Sequence, residues 1–111
     1  MKPDNAHEKR THGRVSFHCP LGIFTPKGML FGEAVNISMS GMMIKVNELP
    51  EQDDSIWLIF KFPSSKRVHT VKGAVMWVSS PEERVMESHF MGLRFIDLEK
   101  EIEKQLIHLT L

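Results

Sequence analysis

Between Val15 and Ile96 the apolar residues recur with a period of two, in six short runs cut by glycine, proline and polar turns. Successive side chains of a strand point to opposite faces, so this alternation predicts strands with one buried face. Val15, Phe17 and Cys19 alternate with Ser16 and His18; Pro20 and Gly22 interrupt, and Ile23-Phe24 leads to the turn Thr25-Pro26-Lys27-Gly28. Met29 to Ile37 returns, Ser38 to Gly41 breaks the run, and Met42 to Val46 resumes it. After the polar loop Asn47 to Asp54 come Ser55 to Phe62, Arg67 to Ser79, a charged turn over Ser80 to Glu87, and a last strand, His89 to Ile96. Beyond Asp97, read as a helix N-cap, the period changes: Leu98, Ile102, Leu106 and Leu109 share one stripe of a helix over about residues 97–109. The predicted fold is therefore mostly β: six short antiparallel strands closing into a small barrel, with the C-terminal helix over one opening.

Within that pattern some residues receive a structural assignment. Gly73, in the middle of a strand, predicts a bulge or a bend. Trp57 and Trp77 are assigned to packing, and Met39, Met42 and Met43 to core filling.

A chain of 111 residues has the length of one domain. Its 14 basic and 14 acidic residues balance, which disfavours a polymeric nucleic-acid binder. The single cysteine, Cys19, has no internal partner for a disulfide, which fits a reducing cytoplasm. No apolar run approaches the roughly 20 residues of a membrane span, and the polar start does not read as a signal peptide. The first residues lack periodicity, so residues 1–14 are read as a flexible arm and residues 15–111 as the barrel with its helix. The histidines are scattered without metal-ligand spacing, and no nucleophile, base and acid fall in a catalytic order, so neither a metal, a cofactor nor an enzyme is expected.

Two patterns remain. Arg10 and Arg14 stand four apart at the border of arm and first strand, a spacing that arises by chance in roughly a quarter of chains this long. Asn36-Ile37-Ser38-Met39-Ser40-Gly41 combines residues that bond nearby backbone with a glycine read as supplying positive φ. Composition produces that pattern in about one chain in twenty, and the two in this order in about one in a hundred.

This pairing resembles the PilZ family, whose members join an R-x-x-x-R arm to a [DN]-x-S-x-x-G turn between the second and third strands. Lys9-Arg10-Thr11-His12-Gly13-Arg14-Val15 is similar to the family's opening, Gly73-Ala74-Val75-Met76-Trp77 to its Gly-x-Val-x-Trp strand, and Gly92-Leu93-Arg94-Phe95-Ile96-Asp97-Leu98 to its ending. Asn36 stands where many members carry Asp, and Lys9 where an arginine is common.

The resemblance implies a PilZ-type barrel that binds the bacterial second messenger cyclic di-GMP and has no catalytic activity. It implies that Arg10 and Arg14 contact bases and phosphates, that Asn36 and Ser38 bond a base edge, and that Gly41 shapes the turn. Lys9, Ser40 and Met42 stand second as ligand contacts. The residue types suit the ligand, because an arginine fork matches guanine O6 and N7 and its flat face stacks on a purine. Binding is expected to order the arm and to signal to an unidentified effector protein in trans, in motility or biofilm regulation. The expected state is a cytoplasmic monomer or weak dimer, without membrane insertion. The alternative is a degenerate PilZ adaptor with weak or no nucleotide binding.

Overall fold

Along β1 (Val15–Thr25) the side chains of Phe17, Cys19, Leu21 and Ile23 turn inward while Ser16, His18 and Pro20 face solvent. The sequence alternation thus becomes a two-faced strand. The computed structural model describes residues 14–50, 55–63, 65–79 and 88–110, so the predicted contacts Lys9 and Arg10 lie outside the described residues. β1 runs unbroken through Pro20 and Gly22, where the sequence suggests an interruption. At Pro20 it has β2 on one side, while pairing with β4 covers only Gly22 to Phe24. A residue without an N–H is tolerated on such a one-sided stretch.

β2 (Gly28–Ile37), β3 (Gly41–Val46), β4 (Ser55–Lys61), β5 (Val68–Val78) and β6 (His89–Ile96) follow, close to their expected bounds. All pairings are antiparallel, in the order β1-β2-β3-β6-β5-β4, and β4 returns to β1 to close the barrel. Closure gives every strand two neighbours. The hairpin between β1 and β2 turns on Pro26-Lys27: Thr25 Oγ1 donates to the Gly28 carbonyl at 2.8 Å and accepts from Lys27 N–H at 3.1 Å.

The inward faces form one core. Ile23, Ile37, Met42, Ile44, Ile56, Leu58 and Met91 are fully buried in it. Each such side chain contributes about 1.5–3 kcal/mol relative to exposure. Phe17, Phe60 and Phe62 meet edge to face or tilted, with centroids 5.3 to 6.3 Å apart, and His69 packs on Phe62 at 5.4 Å. The helix α1 (Lys100–Thr110) adds Ile102 and Leu106 to the same core, with Leu98 and Leu109 packed against it. No helix among the described residues is long and apolar enough to cross a membrane.

Burial, and secondarily the Glu33 carboxylate, push the Cys19 thiol up to about 11. A thiol protonated at neutral pH is a poor nucleophile, which makes Cys19 a small apolar core residue.

Four expectations need correction. The helix starts at Lys100, not at Asp97: the Glu99 carbonyl accepts the first turn's bond from Glu103 N–H at 3.0 Å, and Asp97 instead occupies a left-handed conformation with φ of 52°. Aspartate is one of the few residues that tolerate that region, so Asp97 redirects the chain between β6 and the helix. Second, β5 bulges at Met76 rather than at Gly73, because Val75 pairs with Leu93 while Trp77 pairs with Gly92. Third, that extra residue reverses the parity, so Trp77 points outward and is 43% exposed; Trp57, alternating with inward Ile56 and Leu58, is 46% exposed. Fourth, the three methionines do not share the core: Met42 is buried, Met43 half-buried and Met39 exposed.

The outer face of β2, β1 and β4 carries a connected apolar patch. Phe24 sits opposite both Met29 and Trp57, and Gly22 lies between Phe31 and Ile59 in the next row. The Met29 side chain reaches across Gly22 to fill the space left by its missing Cβ. Lys72 lies over the Trp57 ring at 5.9 Å.

Candidate functional site

The hydroxyl of Ser38 organises the connection from β2 to β3. It accepts from the backbone N–H groups of Ser40 and Gly41, each at 3.2 Å, while Ser38 N–H donates to the Gly41 carbonyl at 2.8 Å. Its own proton has two acceptors within reach, Ser40 Oγ at 3.2 Å and the Gly41 carbonyl at 3.4 Å. Ser38 is only 5% exposed. Serine suits this place because a short hydroxyl can take up local N–H groups that a tight turn leaves unpaired. Ser38→Ala is expected to leave those two donors without a partner and to cost about 1–3 kcal/mol, read as a lower thermal midpoint.

Gly41 is required for space rather than for dihedral freedom. Gly28 is the only glycine with positive φ among the described residues, so the predicted positive φ at Gly41 is corrected. A Cβ on Gly41 would stand 2.0 Å from the Leu93 carbonyl oxygen and 3.1 Å from its carbon. β3 and β6 therefore meet backbone to backbone here, and the Ser40 carbonyl accepts from Phe95 N–H at 2.8 Å. The turn is fastened to β6.

Asn36 enters the site through a second bulge. Ala34 pairs with Ile44 and Asn36 with Met43, so Val35 is the additional residue on β2. The insertion lets Ala34 and Ile37, three apart, both face the core while Asn36 faces out. Across the β1–β2 ladder Asn36 opposes Ser16, which brings Arg14, just ahead of β1, within reach. Arg14 Nη1 donates to Asn36 Oδ1 at 2.7 Å. That bond occupies the amide oxygen and leaves the amide NH2 as the polar group Asn36 can present outward.

Arg14, Ser40 and Gly41 share a shallow cleft of about 250 Å³ with Met76, Trp77, Gly92, Leu93 and Arg94. Pockets that enclose a drug-sized ligand occupy roughly 300–1,000 Å³, so this cleft alone holds part of such a molecule. The structure thus joins Arg14 to Asn36 and sets both beside the Ser38–Gly41 turn. It does not bring Met42 there: that side chain is 0% exposed and belongs to the core, which removes it as a ligand contact. Ser40 is exposed and lines the cleft.

Trp77, assigned from sequence to packing, and Arg94, given no role there, both line the cleft. Arg94 was legible, since it alternates with the inward Leu93 and Phe95. Trp77 was not, because the bulge at Met76 has no local signature in Gly73-Ala74-Val75-Met76-Trp77.

The model of the PilZ domain family matches residues 8–111 of the chain. No curated protein matches it. Among solved structures, the inhibitor of motility MotI/DgrA of Bacillus subtilis superposes with a TM-score of 0.70 at 18% identity, covering 88% of this chain and 47% of that one. The chain therefore spans about half the length of that protein, and at this identity the likeness concerns the fold.

Proposed function

The chain belongs to the PilZ domain family, a family of cyclic di-GMP-binding and adaptor modules, and on that premise we propose that it binds cyclic di-GMP between its N-terminal arm and the Asn36–Gly41 turn. The observation that carries this reading is the 2.7 Å bond between Arg14 and Asn36, which unites two motifs 22 positions apart in the chain. A guanidinium beside an amide offers donors to guanine O6 and N7 and positive charge to a phosphate. Arg10, four residues earlier, supplies the second guanidinium. Asn36 presents its amide NH2 to a base edge. Ser38 acts through the turn and would bond the ligand only by exchanging one of its internal contacts. Gly41 holds the turn against β6.

Because the cleft is shallow, residues 1–14 provide the rest of the enclosure, closing over the ligand and burying both arginines. Such a closure changes the surface that a partner meets, and a module of this kind signals in trans. The apolar patch of Phe24, Met29, Phe31 and Trp57 supports an output through protein contact, since connected exposed apolar surface of this kind marks interaction sites.

Isothermal titration of the full chain with cyclic di-GMP tests the reading. Saturable binding with a Kd of about 1 μM or tighter, equivalent to about −8 kcal/mol, is expected. Absence of binding heat at ligand concentrations far above that range would overturn it and favour the adaptor alternative.

A further inference from the structure

We propose that the start of β2, Gly28 to Phe31, is an open sheet edge that takes up an extended peptide segment of a partner protein as one further strand. This names the kind of partner that signalling in trans requires. The contact needs no cyclic di-GMP, so the two readings fail separately.

Gly28 to Phe31 pair with β1 throughout, whereas β3 lies beside β2 only from Gly32 onward, opposite Val46. The two strands are tight there: a Cβ on Gly32 would stand 2.7 Å from the Lys45 carbonyl oxygen. Past Val46 the chain leaves the sheet, and no other strand among the described residues flanks Gly28 to Phe31 on that side. The register with β1 fixes where the backbone groups point. Bonded and non-bonded pairs alternate along an antiparallel ladder, and the register is continuous from Pro20 to Thr25. Pro20, which has no N–H, suits a non-bonded place opposite Glu33, and the loop Pro26-Lys27 closes on a bonded pair, Thr25 with Gly28. Both give the same phase. Phe31 opposite Gly22 and Met29 opposite Phe24 are therefore non-bonded pairs, whose N–H and C=O groups point away from β1. Phe31 stands at the border where β3 begins, but Met29 lies beyond it. Its N–H and C=O have no partner among the described residues.

A furrow runs along this edge. A cleft of about 410 Å³ lies between Thr25, Met29 and Leu30 on one side and Glu48, Leu49 and Pro50 on the other. A second, of about 210 Å³, continues it past Phe31 and Asn47. Leu30 and Leu49 pack against the core and give the furrow an apolar floor, while Met29 and Phe31, 40% and 72% exposed, form its outer rim. A strand laid here bonds to Met29 through its main chain. One of its side chains meets Leu30 and Leu49, and the residues on either side turn outward beside Met29 and Phe31. The segment that fits is a short extended run, apolar at successive positions and free of proline. Exposed edges are ordinarily guarded by lysine, proline or a bulge, and Gly28-Met29-Leu30-Phe31-Gly32 holds none of these. A second copy of this chain would bring its own β1 behind its β2, where Glu48 to Pro50 wall the furrow. A single strand fits; a sheet does not.

The test pans the full chain, without cyclic di-GMP, against phage-displayed random peptides of about twelve residues. Enriched sequences should share a proline-free run of about four apolar or β-branched residues. A synthetic copy of the strongest should bind with a Kd of about 100 μM or tighter and shift the amide resonances of Gly28 to Gly32 and Asn47 to Leu49. Methylating the peptide nitrogen that faces Met29 should weaken binding about tenfold, and methylating the next nitrogen, which faces away, much less. Met29→Pro removes an N–H that β1 does not use, so it should weaken the peptide about tenfold with the thermal midpoint nearly unchanged. The methylated peptides need no variant of the protein, so a poorly folded Met29→Pro chain does not decide the matter. No enriched peptide, shifts confined to another part of the barrel, or equal affinity for the two methylated peptides overturns the inference. So does a dimer in sedimentation that Met29→Pro dissociates, since that places a second copy on the edge. None of these outcomes touches the titration with cyclic di-GMP.

Discussion

Arg14→Ala is expected to lower the affinity for cyclic di-GMP by about 10- to 100-fold while leaving the fold intact. Each charge-assisted hydrogen bond to a ligand contributes about 1.5–3 kcal/mol, and every 1.4 kcal/mol is a factor of ten. Arg14 loses such contacts and also releases Asn36, whose amide oxygen it holds at 2.7 Å. With that partner gone, the Asn36 amide is free to rotate, and the base edge meets a less ordered group. The side chain is exposed and outside the core, so the thermal midpoint should move little. Titration calorimetry beside a thermal melt separates the two effects. Retained affinity in Arg14→Ala would remove the central contact of the proposed site. A Lys at position 14 keeps charge without the planar fork and should recover only part of the loss.

Gly41→Ala is expected to be the most damaging small substitution in the barrel. Its Cβ would be placed 2.0 Å from the Leu93 carbonyl oxygen, an atom of the β6 backbone that cannot rotate away as a side chain can. Relief requires β3 and β6 to separate where the Ser40 carbonyl and Phe95 N–H are bonded at 2.8 Å. Overpacking inside a core commonly costs 1–3 kcal/mol, and a backbone clash of this closeness belongs at or above the upper end. For a domain of this size each kcal/mol lowers the melting temperature by about 4–8 °C, so a fall of 12 °C or more is expected. Gly73→Ala is the matched control. There a Cβ would meet the Arg94 carbonyl oxygen at 3.5 Å and the Leu93 Cβ at 3.8 Å, both ordinary contacts, and Gly73 lies at φ below zero. Replacing it should be neutral or stabilising by about 0.4–1 kcal/mol, through the reduced freedom of the unfolded chain. Equal melting temperatures for the two variants would show that β6 does not constrain the turn.

The two glycines show where sequence reading stops. Both interrupt apolar patterns, and local rules assign positive φ to one and a bulge or a bend to the other. The positive φ at Gly41 and a bulge at Gly73 do not survive, because what each position needs is set by the strand beside it: Gly41 by a carbonyl 52 residues further on, and Gly73 by nothing closer than ordinary contact. Ser38 is a similar case. Its bonds to the nearby backbone of Ser40 and Gly41 were legible as local turn chemistry, but its burial and the fastening of the turn to Phe95 were not.

By itself the sequence determined the six strands, their near-exact limits and the helix, because period-two and helical repeats are local properties of the chain. It also showed two arginines four apart ahead of an Asn-x-Ser-x-x-Gly segment, of which Arg14 meets Asn36 in the fold. Tertiary structure alone decided which residues surround that turn. Bulges on β2 at Val35 and on β5 at Met76 shift the parity of the strands they interrupt, whereas β1 keeps its alternation through the irregularity near Phe17. A bulge is defined by pairing two residues of one strand with one of another, so the place where the parity shifts is set by the neighbouring strand. That is why Asn36 turns outward to meet Arg14, and why Trp77 lines the cleft that Arg14 shares with β5 and β6.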